Sequence, residues 1–321
     1  MSSHPFRALR RRARALRGRA APSPRYDSWL EHFYGDRLGR IEAACRDAGP
    51  EAFALFRDLE PELWALLLTQ EYDAYPSIRA LLPDMPDARL QQRWNGASGA
   101  ALAGQGAAFY AKVCKRYAEH SGRRLVESRV LDFGCGWGRL TRFFARDVAP
   151  GSLYGCDPVE GILDECRRNR VPAILGRTEF VPDSLPFDET FDLALAFSVF
   201  THLSEHAHEA CLRALHASMN PGGILVLTVR PPEYLMFCAT MHPLLESLGG
   251  ECPVRPDEAR YLFVAHATDG HHQYAGGEMT YGETVVTLPY VRERWSERFE
   301  LLDVDLLIGD PYQVMLTLRR R

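Results

Sequence analysis

The chain changes its hydrophobic period near residue 125, and that change divides it. Before it, apolar positions recur at helical spacing. Trp29, Leu30, Phe33, Leu38 and Ile41 mark one helix, closed by Gly49-Pro50. Pro61 suits the first turn of a second helix, Glu62–Gln70. A proline-rich connection then runs from Pro76 to Pro86, and a further helix reaches about Tyr117 after the stretch Trp94-Asn95-Gly96-Ala97-Ser98-Gly99. After residue 125, short apolar runs alternate with helical patterns. Strands are predicted at Val130–Phe133, Leu153–Cys156, Ala173–Leu175, Phe191–Phe197 and Ile224–Val229. Helices are predicted at Leu140–Val148, Gly161–Arg170 and Glu205–Met219, and Asn220-Pro221-Gly222-Gly223 reads as a turn. Continuous apolar strands separated by helices imply a parallel sheet covered on both faces. Glu300–Leu307 and Gln313–Leu318 flank Gly309-Asp310-Pro311 and read as an antiparallel pair.

Between Val229 and Phe299 lies a connection longer than one return helix needs. It predicts a helix from Glu233 to about Leu248, strands at Tyr261–Ala265 and Glu283–Leu288, and a helix at Tyr290–Arg298. Its glycines Gly270, Gly276 and Gly277 surround His271 and His272, with His266, Tyr274 and Tyr281 nearby. Such a segment is either a lid that reads a ligand or a solvated hairpin tip. The expected organisation is therefore a tail at 1–25, a helical region at 26–122, and an α/β domain at 123–321 interrupted by an insertion or cap at 231–298.

Composition adds constraints. The 321 residues are 46% hydrophobic and 25% charged, as in an ordinary globular protein. The longest apolar run, near Gly223–Val229, has strand length and falls far short of the roughly 18 residues of a membrane span. None of the eight cysteines has CxxC spacing, so neither zinc nor a redox dithiol is indicated. With no secretory apolar segment, a cytoplasmic protein with reduced thiols is expected. Net charge is −4, yet Arg7, Arg10, Arg11, Arg12, Arg14, Arg17, Arg19 and Arg25 crowd the first 25 residues without an acid. That tail reads as a solvated, disordered end, dispensable for folding. The alternatives are weak contact with a membrane surface, a transit peptide, or a nucleic-acid contact. No clear nucleic-acid motif accompanies it.

The strongest chemical signal is Val130-Leu131-Asp132-Phe133-Gly134-Cys135-Gly136-Trp137-Gly138-Arg139. An apolar strand leads through an acid into three alternating glycines and a helix. Glycines permit a tight turn and let a ligand approach the backbone. The third glycine comes one residue too early for a dinucleotide fingerprint. Asp132 would repel a pyrophosphate and attract a sulfonium or an ammonium. Asp157 ends the next strand, 25 residues later, where a carboxylate can accept from two ribose hydroxyls.

These residues resemble the class I S-adenosylmethionine-dependent methyltransferases, whose fold is a Rossmann-like, doubly wound seven-stranded sheet with an antiparallel last strand. Leu185-Pro186-Phe187, Phe191-Asp192, Ser198-Val199-Phe200-Thr201-His202-Leu203, Asn220-Pro221-Gly222-Gly223 and Gln313–Arg319 resemble further family segments. The resemblance implies S-adenosylmethionine as cofactor. Gly134, Gly136 and Gly138, with Cys135 between the first two, would lie beneath the methionyl moiety. Asp157 would hold the ribose, Pro158 would flank the adenine, and Ser198 would face the methionyl end. The adenine amine contact falls to Glu179 or Asp183, and spacing does not choose between them.

His202 follows the fourth strand at the ligand crevice. It is either a general base, a residue orienting the methionyl group, or a structural residue capping the next helix. His206 and His208 read as exposed helix residues. His202 and His206 have metal-ligand spacing, but no third ligand is evident, so no metal is expected. Arg230 either binds an acidic acceptor or pairs with a neighbouring acid. The Trp94–Gly99 stretch either folds over the cofactor or is an ordinary turn. Asp310-Pro311-Tyr312 is misplaced for the motif of amino-group nucleic-acid methyltransferases. The resemblance extends to bacterial enzymes of glycan and secondary-metabolite pathways, which implies a small-molecule or saccharide acceptor methylated on oxygen. Catalytic candidates are His202, His271 and His272. The alternatives are an RNA or protein methyltransferase and a non-catalytic S-adenosylmethionine-binding partner protein.

Overall fold

The computed structural model describes residues 26–46, 48–249, 257–266, 274–275, 278–307, 309–310 and 312–321. Residues 1–25 and the pair His271 and His272 lie outside them.

The apolar runs after residue 125 form the centre of a seven-stranded sheet. Strands β1 (Val130–Phe133), β2 (Leu153–Asp157) and β4 (Phe191–Ala196) are buried throughout, and β3 (Ile174–Arg177) closes one edge. β5 spans Met219–Val229. Within the insertion, β6 (Tyr261–Ala265) pairs with β9 (Gly282–Val286), and β7 (Tyr274–Ala275) pairs with β8 (Glu278–Met279). The last strands are β10 (Phe299–Leu306) and β11 (Val314–Arg320). Sheet order is β10-β11-β5-β4-β1-β2-β3, with β11 antiparallel to both neighbours and the other pairs parallel. This is a Rossmann-like sheet with one antiparallel strand. The order turns at β1, between β2 and β4, and ligands of open α/β sheets bind outside the carboxyl ends at such a turning point.

Strand periodicity splits the core in two. Leu193, Leu195, Ile224 and Val226 point to one face, and Ala194, Ala196, Leu225 and Leu227 to the other. The first face meets the N-terminal helices. These are α1 (Asp27–Cys45), α2 (Pro61–Thr69), α3 (Pro76–Leu81), α4 (Ala88–Asn95) and α5 (Gly99–Ser121). Phe109, Val113, Tyr117 and Trp64 share its core with Val130 and Leu153. Trp64 also donates its indole N–H to the Phe143 carbonyl at 3.0 Å. The helical region is therefore a covering layer of this sheet. The second face is covered by α8 (Glu205–Ser218) and α11 (Leu288–Arg294), with α6 (Thr141–Phe144) and α7 (Glu160–Arg168) joining β1 to β2 and β2 to β3.

Four expected elements differ. The helix after the glycines spans one turn, because bonds such as Phe143 N to Leu140 O and Asp147 N to Phe144 O tighten the chain to i→i+3 spacing. The expected helix 233–248 breaks into α9 (Tyr234–Phe237) and α10 (His242–Ser247), since Pro243 has no N–H to continue it. Pro76 opens a short helix, α3, where a plain connection was expected. The Asn220–Gly223 turn is a bulge inside β5: Met219 faces Phe191 and Ile224 already faces Leu193.

Candidate active site

A cleft of about 450 Å³ opens at the carboxyl ends of β1, β2, β4 and β5. The glycine segment forms its floor. Gly134 and Gly136 have φ of 73° and 54°, the left-handed region that disfavours other residues. A Cβ on Gly134 would meet Val199 Cγ2 at 2.4 Å, so packing forbids a side chain there. A Cβ on Gly136 would meet nothing within 4 Å. The middle glycine thus leaves the cleft floor bare, whereas the first is fixed by Val199, in the segment that follows β4. Cys135 also lines the cleft, whereas Gly138 does not: a Cβ there would meet Val171 at 2.8 Å, so the third glycine packs against the chain beneath the floor.

Two buried carboxylates support this floor. Asp132 Oδ2 accepts the Thr141 hydroxyl at 2.6 Å. Asp157 accepts the Gly136 N–H on one oxygen and the Val159 N–H on the other, both at 3.0 Å. Burial pushes each carboxyl up to about 6. Pro158, Val159 and Glu179 continue the wall on this side, and Asp183 is not among the lining residues. Ser198, two residues past β4, takes φ 58°, a strained value for a non-glycine residue and one that marks functional sites. Its N–H is held by Thr228 Oγ1 at 2.7 Å.

The other half of the cleft is polar and aromatic. His202, Arg230, Tyr234, Thr280, Tyr281, Asp310, Tyr312 and Gln313 line it. His202 Nδ1 donates to the Gly282 carbonyl at 2.7 Å, so its Nε2 carries the lone pair and accepts from Arg230 at 3.2 Å. The imidazole stacks on Tyr281, 4.9 Å between centroids. It does not cap α8; Ser204 does. Arg230 pairs with Glu283, which also holds His266 Nε2 at 2.9 Å and the Tyr234 hydroxyl at 3.1 Å. Of the two readings of Arg230, the neighbouring acid is the one the fold provides.

The fold does bring two further donors, His266 and Glu283, to His202, with ligand atoms within 4.8 Å of one another. The cation in that cluster is already the Arg230 guanidinium, bonded to both Glu283 and His202. His206 is exposed and away from the cleft. His208, expected on the surface, is buried: Phe200, Tyr261 and Trp295 surround it, and burial drives its pKa down to about 3. Trp94 and Asn95 line the cleft from the last turn of α4, and Asn95 Oδ1 accepts the Trp137 indole N–H at 2.8 Å.

Residues 130–223 match the protein-family model described as Methyltransferase domain. The chain carries an S-adenosylmethionine-dependent, class I methyltransferase domain. A trans-aconitate 2-methyltransferase from Methylobacterium nodulans is 32% identical over 126 residues, 39% of this chain and 46% of that protein. The human mitochondrial ubiquinone biosynthesis O-methyltransferase is 32% identical over 114 residues, 33% of this chain and 30% of that one. The chain thus spans less than half the length of either relative. Among solved structures, an S-adenosylmethionine-bound amino pentose methyltransferase from Micromonospora echinaspora aligns over 74% of this chain and 99% of that chain. The TM-score is 0.48 and the identity 17%.

The methyltransferase domain match ends at residue 223 and so leaves the polar half of the cleft largely outside it. Glu283, Asp310, Gln105 and Arg139 were missed by sequence reasoning. Arg139 adjoins the glycines and had a local signal. The other three are single polar residues that only the fold brings together, Gln105 and Asp310 lining the cleft and Glu283 holding Arg230 behind its wall. No helix among the described residues is long and apolar enough to cross a membrane.

Proposed function

We propose that this chain is an O-methyltransferase acting on a sugar, glycan or other polar small molecule. The observation that carries the reading is the two-part cleft: a bare glycine floor with buried carboxylates at one end, and a polar, aromatic wall at the other. Human ubiquinone biosynthesis O-methyltransferase, one of the matching relatives, is by name an oxygen methylator. Tyr281, Tyr234 and Tyr312 offer flat faces with hydroxyl edges, while His202 and Arg230 offer hydrogen bonds. That mixture suits an acceptor carrying several hydroxyls rather than a purely apolar one.

The residues fit the cofactor. Gly134 and Gly136 would carry the methionyl moiety, Asp157 the ribose, Pro158 the adenine face and Ser198 the methionyl end; Gly138 would act from beneath, through the turn it allows. Glu179, which lines the cleft, takes the adenine amine in preference to Asp183, which does not. The bound cofactor supplies an electrophilic methyl on a sulfonium. The protein's task is alignment, which effective-molarity arguments make the larger part of such a step. His202 Nε2 is a proton acceptor for the hydroxyl once the acceptor replaces Arg230 as its partner. The segment 231–298 contributes Tyr234, Thr280 and Tyr281 to the acceptor side and acts as its cap.

The test is release of S-adenosylhomocysteine across a panel of sugars, phenols and RNA. Turnover with hydroxylated small molecules supports the reading. Turnover with RNA alone replaces it with the macromolecule reading. A protein that does not bind S-adenosylmethionine overturns it.

A further inference from the structure

We propose that Arg139 and Asp310 form a two-ended clamp for the amino-acid head of the cofactor, Arg139 taking the α-carboxylate and Asp310 the α-ammonium. The inference rests on the reading above that the cleft binds S-adenosylmethionine.

Arg139 follows the last glycine and is only 7% exposed. Its guanidinium lies over the Phe197 ring, 4.7 Å from the centroid, and donates to Gln105 Oε1 at 2.7 Å. Among the described residues no carboxylate comes within 4.0 Å of it. A guanidinium has five N–H donors, and a buried charge without a counter-ion is costly. Burial lowers its pKa to about 10, which leaves it charged at neutral pH. A buried, charged arginine on a ligand cleft is a site awaiting an anion.

Asp310 presents the opposite case. Its Oδ2 accepts from Gln105 Nε2 at 3.0 Å and from Gln313 Nε2 at 2.8 Å, both neutral amides. No cation lies within 4.0 Å of it among the described residues. Burial raises its pKa, and the nearby charges of Arg230 and Arg139 only partly offset this. The carboxylate lines the same cleft and lacks a cation.

Gln105 joins the two. One amide group reaches Arg139 with its oxygen and Asp310 with its nitrogen, so the opposite charges are held apart by one amide's span. They do not collapse into a salt bridge. An α-amino-acid head places a carboxylate and an ammonium on one carbon, a comparable span. Laid alongside Gln105, it presents its anion to Arg139 and its cation to Asp310. Position selects the methionyl end of the cofactor. Gln313 Nε2 also reaches Ser198 Oγ at 3.3 Å, and Arg139 adjoins Gly138. Asp157, assigned to the ribose, is elsewhere on the glycine floor.

The experiment is calorimetry on the full chain with two probes, S-adenosylhomocysteine and 5′-methylthioadenosine. They share the nucleoside and the sulfur; only the first has the amino-acid head. The wild type is expected to bind S-adenosylhomocysteine at least about tenfold tighter, as charge-assisted hydrogen bonds at two ends require. Arg139→Met and Asp310→Asn should each weaken S-adenosylhomocysteine by about tenfold or more and leave 5′-methylthioadenosine within about twofold. Arg139→Lys should recover part of the loss. Thermal unfolding reports whether each variant is folded, and Asp310→Asn decides the matter if the buried Arg139 variant is not. Equal weakening of both probes, or an unchanged ratio in folded variants, overturns the clamp. So does a normal S-adenosylhomocysteine affinity coupled to a raised acceptor KM, which would move both residues to the acceptor. A wild type that binds both probes equally sinks the clamp but leaves the cofactor reading standing. One that binds neither sinks both.

Discussion

Asp157 accepts the Gly136 N–H at 3.0 Å, so the residue assigned to the ribose also braces the middle of the glycine floor. Its other oxygen holds Val159 N–H at 3.0 Å. Asp157→Ala therefore orphans two backbone donors as well as removing the proposed sugar contact. Cofactor binding should weaken by about 1–3 kcal/mol, the usual cost of unpaired buried polar groups. Calorimetry that finds unchanged S-adenosylmethionine affinity in a folded variant removes Asp157 from the ribose role.

The glycines separate folding from binding. Gly134→Ala puts a Cβ 2.4 Å from Val199 Cγ2 at φ 73°, so the fold itself resists it. A fall in melting temperature is the expected result. Gly136→Ala meets no atom within 4 Å and carries only the backbone strain of φ 54°, about 1–2 kcal/mol for a left-handed residue. Its Cβ enters the cleft. Cofactor affinity should therefore fall out of proportion to stability, and Gly136→Val should do worse. Equal affinity for wild type and Gly136→Val would place the cofactor elsewhere.

This contrast shows what the sequence could carry. The glycine segment and Asp157 are legible because strand, acid, glycines and second acid are local signals in a fixed order. The sheet is legible because its strands are continuous apolar runs, and the two-residue period even assigns alternate residues to the two cores. The polar side of the cleft is not legible in that way. Gln105, Glu283 and Asp310 are single polar residues on three distant elements, and no periodicity marks them. His208 shows the same limit: a polar residue on an amphipathic helix reads as exposed, but its burial is decided by Tyr261 and Trp295, far along the chain. Helix ends failed where Pro243, or tightened i→i+3 turns after the glycines, overrode a helical pattern.

Cofactor affinity should depend on pH. Burial raises Asp132 and Asp157 to about 6, above the ordinary carboxylate value of about 4. A group with a raised folded pKa holds its proton more tightly in the folded state. Its contribution to stability is therefore complete below about 4 and is lost as pH rises through about 6. A bound sulfonium reverses this preference, because it favours ionised carboxylates. The unliganded protein should lose stability from these groups between pH 4 and 6, roughly, while S-adenosylmethionine binds more tightly over the same window. S-adenosylhomocysteine, without the sulfonium charge, should show a smaller change. Affinities measured at several pH values for both ligands check this, and parallel pH curves would exclude a carboxylate contribution to sulfonium binding.

Glu283 anchors the hairpin of the insertion to the end of β5. One oxygen binds Arg230 and the Tyr234 hydroxyl, and the other binds His266. Both Glu283 and Arg230 are 8% exposed, so water cannot replace a lost partner. Glu283→Ala leaves the arginine charge buried with the Thr201 carbonyl, His202 Nε2 and the face of the Tyr234 ring to hold it. Removing one member of such a pair costs about 3–5 kcal/mol, whereas replacing both by apolar groups is often close to neutral. Glu283→Ala should therefore lower the melting temperature sharply, and the double variant Arg230→Met, Glu283→Leu should recover most of it. S-adenosylmethionine affinity should stay near the wild-type value in the double variant, because Arg230 lines the polar side of the cleft and the pair bonds neither the glycine floor nor Asp157. Thermal unfolding of the two single variants and the double variant gives the coupling directly. Additive losses, with no recovery in the double variant, would show that the pair does not act as a unit and that the hairpin is held by its other contacts, such as the Tyr261 hydroxyl on the Leu203 carbonyl at 2.8 Å.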